Sequence, residues 1–170
     1  MIENKLKKNA KKVDKFLINF LKKQKKSLLL NPMKYGIISG GKKIRSTIIF
    51  DTAKMLNVKE KKILSVSTAV ECIHSYSLIH DDLPCMDNDT IRRGKAATHV
   101  KFGESTAVLA GNSLLTMAFE ILSHPKLNLE ENTKNTLINK ISQCSGHLGI
   151  AGGQYLDLNY EHKKISKKKI

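Results

Sequence analysis

Three observations on this 170-residue sequence predict an all-α fold. Apolar residues recur at three- and four-residue spacing over long stretches, and no stretch alternates apolar with polar residues as a half-buried strand does. Breaks containing glycine or proline separate the periodic stretches at helix-length intervals. A compact chain of this size buries roughly 70% of its unfolded surface, enough for one core.

The elements follow in order. Residues 4–30 carry Leu6, Val13, Phe16, Leu17, Phe20 and Leu21 at helical spacing, with lysines on the outer face, and Asn31-Pro32 predicts the stop. Residues 36–41 read as a loop, and Gly40-Gly41 opens a second helix running to about residue 56. Residues 59–82 predict a long third helix, apolar nearly all round over 63–79 and therefore central. Residues 83–97, with a proline, a glycine and dense charge, read as a structured loop. Residues 105–123 predict another apolar helix, closed by His124-Pro125, and residues 130–145 an amphipathic one. Small residues recur at Gly146, Gly149, Ala151, Gly152 and Gly153, which fits either a loop or a helix pressed against a neighbour. Residues 159–170 read as an irregular basic tail.

Composition narrows the function classes. No apolar run reaches the roughly 18 residues that cross a bilayer, so no membrane span is expected. Residues 1–15 are lysine-rich but lack the apolar core and cleavage site of a signal peptide. Cys72, Cys85 and Cys144 are far apart and odd in number, which fits a reducing, cytoplasmic location and neither a disulfide scaffold nor a zinc knuckle. The net charge of +15 raises a nucleic-acid partner. With no tryptophan and 5% aromatics, stacking platforms for bases are scarce, and the lysines read as solvated faces.

The arginines are more informative. Arg45, Arg92 and Arg93 are the only three, in a chain that uses lysine everywhere else. A guanidinium grips phosphate oxygens with a planar fork that an ammonium cannot copy. Four of the fifteen acidic residues fall between Asp81 and Asp89. Two carboxylates about 6 Å apart repel by roughly 3 kcal/mol at an effective dielectric near 20, so such a cluster persists where a cation sits on it. Magnesium takes one or two carboxylates together with substrate phosphates. A bare acidic run is also what a solvated loop looks like. The flanks distinguish this one: Arg92-Arg93-Gly94 follows it, and His74 lies seven residues before Asp81, on a stripe with Glu71 and Leu78. In Gly40-Gly41-Lys42-Lys43-Ile44-Arg45, two glycines precede a helix that puts Lys42 and Arg45 on one face. Together these imply two anion pockets, one of them bridged by metal.

GGKKIR at 40–45, ECIHSYSLIHDDLPCMDNDTIRRGKAATHVKFGESTAVLAGNSLLTMAFEIL at 71–122 and GGQYLDL at 152–158 resemble the N-terminal part of the trans-type isoprenyl (polyprenyl) diphosphate synthases, in particular the bacterial farnesyl type. The resemblance spans about residues 35–158. It implies an isoprenoid synthase-type helical bundle around a deep cavity, a homodimer, and condensation of isopentenyl diphosphate with an allylic diphosphate (dimethylallyl or geranyl) with magnesium as cofactor. Residue by residue, it implies a catalytic set of Asp81, Asp82, Asp87 and Arg92, with Asp81 and Asp87 as magnesium ligands. Arg92 and Gln154 would hold the allylic diphosphate, with Asp157 beside them. Lys42, Arg45, His74 and Arg93 would hold isopentenyl diphosphate. Tyr76 would floor the cavity, and Pro84-Cys85 matches an insertion of the bacterial farnesyl type, which together imply a C15 product, with C20 open.

The sequence departs from the family pattern at Lys43 and Ser46, where arginine and proline are common, and at Asn88, Thr90 and Asn112, where aspartates are common. The family pattern also extends beyond residue 170, through a lysine-threonine segment and a second aspartate-rich motif. The expectation is therefore a truncated polyprenyl synthase domain over residues 1–170, with C-terminal helices missing and the apolar faces of 63–79 and 105–122 left without partners. The alternative is a non-catalytic remnant or a diphosphate-binding helical module.

Overall fold

The computed structural model describes residues 2–38, 40–127 and 129–161. Helix α1, Ile2–Lys22, buries Asn9, Val13, Leu17 and Leu21, a strict four-residue row that lines one face and leaves the lysines outside. That row runs out at Leu21, and the helix ends at once instead of reaching residue 30; Lys22, Lys23, Lys25 and Lys26 crowd like charges where it would continue. Asn31-Pro32 proves to be a start. Helix α2, Leu30–Ile38, takes Pro32 into its first turn, where no backbone N–H is needed.

The expected loop at 36–41 is helical in α2 up to Ile38. Helix α3, Ile44–Met55, begins only after Lys43, so Lys42 lies in the loop and shares no helix face with Arg45. Helix α4, Glu60–Asp81, follows the sequence reading closely. The charged loop after α4 contains a two-stranded antiparallel hairpin that period-two alternation could not reveal in so few residues: β1, Ile91–Arg92, pairs with β2, Lys95–Ala96. Its two-residue turn is Arg93-Gly94, with φ of 55° and 73°. Positive φ at both positions is the mark of a type I′ turn, whose twist matches that of the strands. A short helix α5, Thr98–Phe102, leads into α6, Glu104–Ser123, followed by α7, Glu131–Ser145, and α8, Ile150–Tyr160. The small-residue stretch is thus helical from Ile150. A side chain at Gly149 would run into the Cys144 carbonyl, which is why α7 can turn so tightly into α8. The tail expected from residue 159 begins inside α8, and residues 162–170 lie outside the described residues.

The pair α4 and α6 forms the centre, with α1 and α3 laid on α4 and α2 bridging α4 and α6. Ala69, Cys72, Ile73 and Ile79 of α4 meet Ala107, Ala110, Leu114 and Ile121 of α6 in one continuous core. The faces expected to lack partners therefore cover each other. Part of α6 stays uncovered at Val108 and Leu109, and further exposed apolar residues are Ile44, Ile48 and Met55 on α3 and Tyr155, Leu156 and Leu158 on α8. Contrary to the run-length expectation, α6 is long and apolar enough by length and composition to cross a bilayer. Its Ala107, Leu114, Ala118 and Leu122 are buried in the core.

At Gly111 the His80 side chain of α4 packs directly on the backbone of α6. The His80 ring occupies the space a side chain would take there, and its Nε2 is 3.0 Å from the Val108 carbonyl, which can only accept. Gly111→Ala should destabilise the fold by about 1–3 kcal/mol through overpacking, read as a lower urea midpoint with an unchanged slope.

Candidate active site

Two groups of charged side chains, one cationic and one largely acidic, are anchored at the middle and the end of α4. The acidic pole is built by the last turn of α4 and the loop beyond it. Asp81 is half-buried and accepts a hydrogen bond from Gln154 Nε2 at 2.9 Å, across 73 residues of sequence. The Asp87 N–H donates to the Asp81 carbonyl at 2.9 Å, which folds the loop back and returns Asp87 to the same side. Burial and the neighbouring charges of Asp81, Asp89 and Glu161 all push the Asp87 carboxyl above its ordinary range. Asp82 is 2% exposed and committed to Arg92. Arg92 donates through Nε at 2.7 Å and through Nη2 to the same Asp82 oxygen, and Nη2 also reaches Asp89 at 2.8 Å.

The cationic pole is built by the first turn of α3, the glycine loop before it and the middle of α4. Arg45 Nη1 lies 3.2 Å from His74 Nε2. An arginine can only donate, so that ring nitrogen is unprotonated and accepts. Burial, then the cations Arg45, Arg93 and Lys43, bring the His74 pKa down to about 4, against a smaller opposing pull from Glu71. Arg93 Nη1 donates to the Gly40 carbonyl at 2.7 Å, joining segments 53 residues apart. Its guanidinium lies flat over Gly41, where a side chain would meet Arg93 Cζ at 2.7 Å, and Gly41 has φ of 104°. The position takes glycine for both reasons. Lys42 is exposed beside this group.

The structure thus brings Arg45, His74 and Arg93 together at one pole and Asp81, Asp82, Asp87, Arg92 and Gln154 at the other. Tyr76 lies between them in sequence but is buried in the core, its ring edge-on to His80 at 5.6 Å. Sequence reading missed Asp89 as the second partner of Arg92. It also missed the buried Lys43, read there as a tolerated replacement and found 3.8 Å from Asp14 and 3.9 Å from Glu71. No spacing rule connects residues 14, 43 and 71.

Among the described residues no group of three or more His, Cys, Asp or Glu is arranged to hold a metal ion. The donor chemistry nevertheless suits magnesium. Asp81 and Asp87 offer the one or two hard carboxylates it takes from protein, and the crowding of Asp81, Asp87 and Asp89 is relieved by a cation.

Comparison with known proteins decides the family. A profile described as polyprenyl synthetase matches residues 26–169. The chain belongs to the polyprenyl synthetase family. It is 49% identical to farnesyl diphosphate synthase of Buchnera aphidicola over 142 residues, which is 83% of this chain and 50% of that protein. It is 44% identical to the farnesyl diphosphate synthase of Escherichia coli over 138 residues, covering 81% of this chain and 46% of that one. An FPP/GFPP synthase from Zymomonas mobilis superimposes with a TM-score of 0.89 at 39% identity, over 94% of this chain and 58% of that chain. A geranyltransferase from Legionella pneumophila gives 0.91 at 30% identity, over 96% and 59%. This polyprenyl synthetase chain therefore spans about half the length of the sequence relatives it matches.

The depressed His74 pKa has a stability consequence. On acidification the unfolded chain takes up the proton first, near 6.5, and the folded chain only near 4. The neutral ring therefore supports folding fully above pH 6.5, and that support is lost as pH falls through 4. His74→Gln should flatten the acid limb of the stability curve between those values, and ring NMR of the unsubstituted protein should place the titration near 4.

Proposed function

We propose that this chain carries the substrate-binding face of a prenyltransferase that joins isopentenyl diphosphate to an allylic diphosphate, dimethylallyl or geranyl, to give farnesyl diphosphate. The observation that supports this most directly is the Arg92-Arg93 pair. Adjacent at the end of β1 and the start of the type I′ turn, the two guanidiniums serve different poles, Arg92 against Asp82 and Asp89, Arg93 against Gly40. Such an arrangement suits two diphosphates lying side by side, one on each arginine.

In this reading Arg92 holds the allylic diphosphate, with Gln154 beside it, and Asp82 fixes the angle of its fork. Asp81 and Asp87 would hold magnesium, which when bound would supply positive charge next to the diphosphate leaving group. Lys42, Arg45, His74 and Arg93 hold the diphosphate of isopentenyl diphosphate, and His74, kept neutral, accepts from Arg45 without adding repulsion to the cations around it. The allylic C–O bond breaks and its electron pair leaves with the diphosphate. The isopentenyl double bond then forms the new C–C bond, and the proton lost from the adjacent carbon passes to the departing diphosphate. The protein's part is electrostatic: cations placed beforehand where negative charge develops. Tyr76, buried five residues before Asp81, floors the hydrocarbon end and sets a C15 product. A homodimer completes the assembly, as the family resemblance implies.

Titration calorimetry with dimethylallyl diphosphate and magnesium tests the allylic pole without turnover. Asp81→Ala should remove the magnesium-dependent part of binding, and Arg92→Lys should weaken it about tenfold, because an ammonium cannot reproduce the bidentate fork. Adding isopentenyl diphosphate and following product tests the reaction. Binding without product makes this chain a diphosphate-binding module, and absence of both removes the proposal.

A further inference from the structure

Helix α3 begins without a cap of its own. Lys43 stands at the N-cap position with φ of 46° and makes no side-chain cap. An ammonium only donates, so the first N–H groups of α3 need an acceptor from another element. Glu71 of α4 provides it. Its Oε1 accepts from the Ser46 N–H at 3.1 Å and from the Ser46 hydroxyl at 2.9 Å. A carboxylate here also faces the positive end of the α3 dipole. The other carboxylate oxygen lies 3.9 Å from Lys43 Nζ, which in turn donates to the Ile37 carbonyl of α2 at 2.7 Å. Glu71 is 2% exposed and Lys43 5%. A buried carboxylate costs several kcal/mol to desolvate unless it is paired and hydrogen-bonded, as it is here.

What this joint positions is one step away along each helix. His74 is three residues beyond Glu71, on the same face of α4, and Arg45 immediately precedes Ser46 on α3. The Glu71–Ser46 bonds and the 3.2 Å Arg45–His74 contact are therefore neighbouring rungs between the same two helices. We propose that Glu71 is a positioning residue: by gripping the first turn of α3 it sets that helix against α4 and holds Arg45 on His74 at the cationic pole. The identity of the ligand at that pole rests on the function proposed above, whereas the joint itself does not.

Two variants and two readings test this. Ser46→Ala removes the hydroxyl bond and keeps every charge, and Glu71→Gln removes the carboxylate while keeping its shape. Affinity for isopentenyl diphosphate should fall about threefold in Ser46→Ala and about tenfold in Glu71→Gln, while affinity for dimethylallyl diphosphate with magnesium stays within about twofold. In Ser46→Ala the loosened Arg45 should let the His74 ring titrate measurably above about 4 by NMR, with burial still holding it below 6.5. Equal loss for both ligands would reduce Glu71 to a general stability role and overturn the proposal, as would an unchanged His74 titration. If Glu71→Gln does not fold, Ser46→Ala gives both readings alone. If the unsubstituted chain binds no isopentenyl diphosphate but the His74 titration moves, the joint stands and the ligand assignment fails.

Discussion

The packing of α4 against α6 is the constraint on which the rest of this molecule depends. Glu71, His74, Tyr76 and Asp81 all belong to α4, so one rigid helix fixes the spacing between the two charged poles. A helix nearly surrounded by protein cannot present a polar face to water, so its polar groups must find partners inside. Ser67 and Thr68 bond back to the Leu64 carbonyl, Glu71 caps α3, and His80 meets the Val108 carbonyl in the gap over Gly111. Polar satisfaction and site geometry are thus the same set of contacts. The carboxylate that would be costly to bury alone caps α3 and pairs with Lys43, which in turn reaches Ile37 of α2 and Asp14 of α1.

Electrostatic separation gives the site its character. Burial, then the cations around it, keep the His74 ring neutral, and burial with the neighbouring carboxylates pushes the Asp87 carboxyl up. Neither arrangement lowers the energy of the chain by itself. Each stores repulsion that a ligand of opposite charge relieves, an anion at one pole and a cation at the other. The proposed ligand, a diphosphate with its counter-ion, brings both.

Much of this was readable from residue order, and the failures have physical causes. The period of apolar residues located α4 and α6 because each buries a wide face, and the Asp81–Arg93 segment announced a site because so many charges stand in so few residues. Helix ends were harder. Proline at position 32 signals a stop when read alone, yet the first turn of a helix has no use for the N–H that proline lacks. The hairpin was too short to alternate, and only the handedness of Arg93-Gly94 reveals it. The buried group of Asp14, Lys43 and Glu71 was out of reach because it joins residues from three separate segments, and Lys43 looks in sequence like every other lysine.

The two-residue loop between β1 and β2 has a further consequence. Successive residues leaving a strand point to opposite sides, and only the left-handed pair at Arg93-Gly94 lets the chain reverse without a spacer. One inserted or deleted residue there would not merely loosen the loop. It would demand a different turn, with a bulge, and would move the Arg93 guanidinium from its place on the Gly40 carbonyl. The two-residue length of this corner is thus part of how Arg93 reaches the glycine loop before α3.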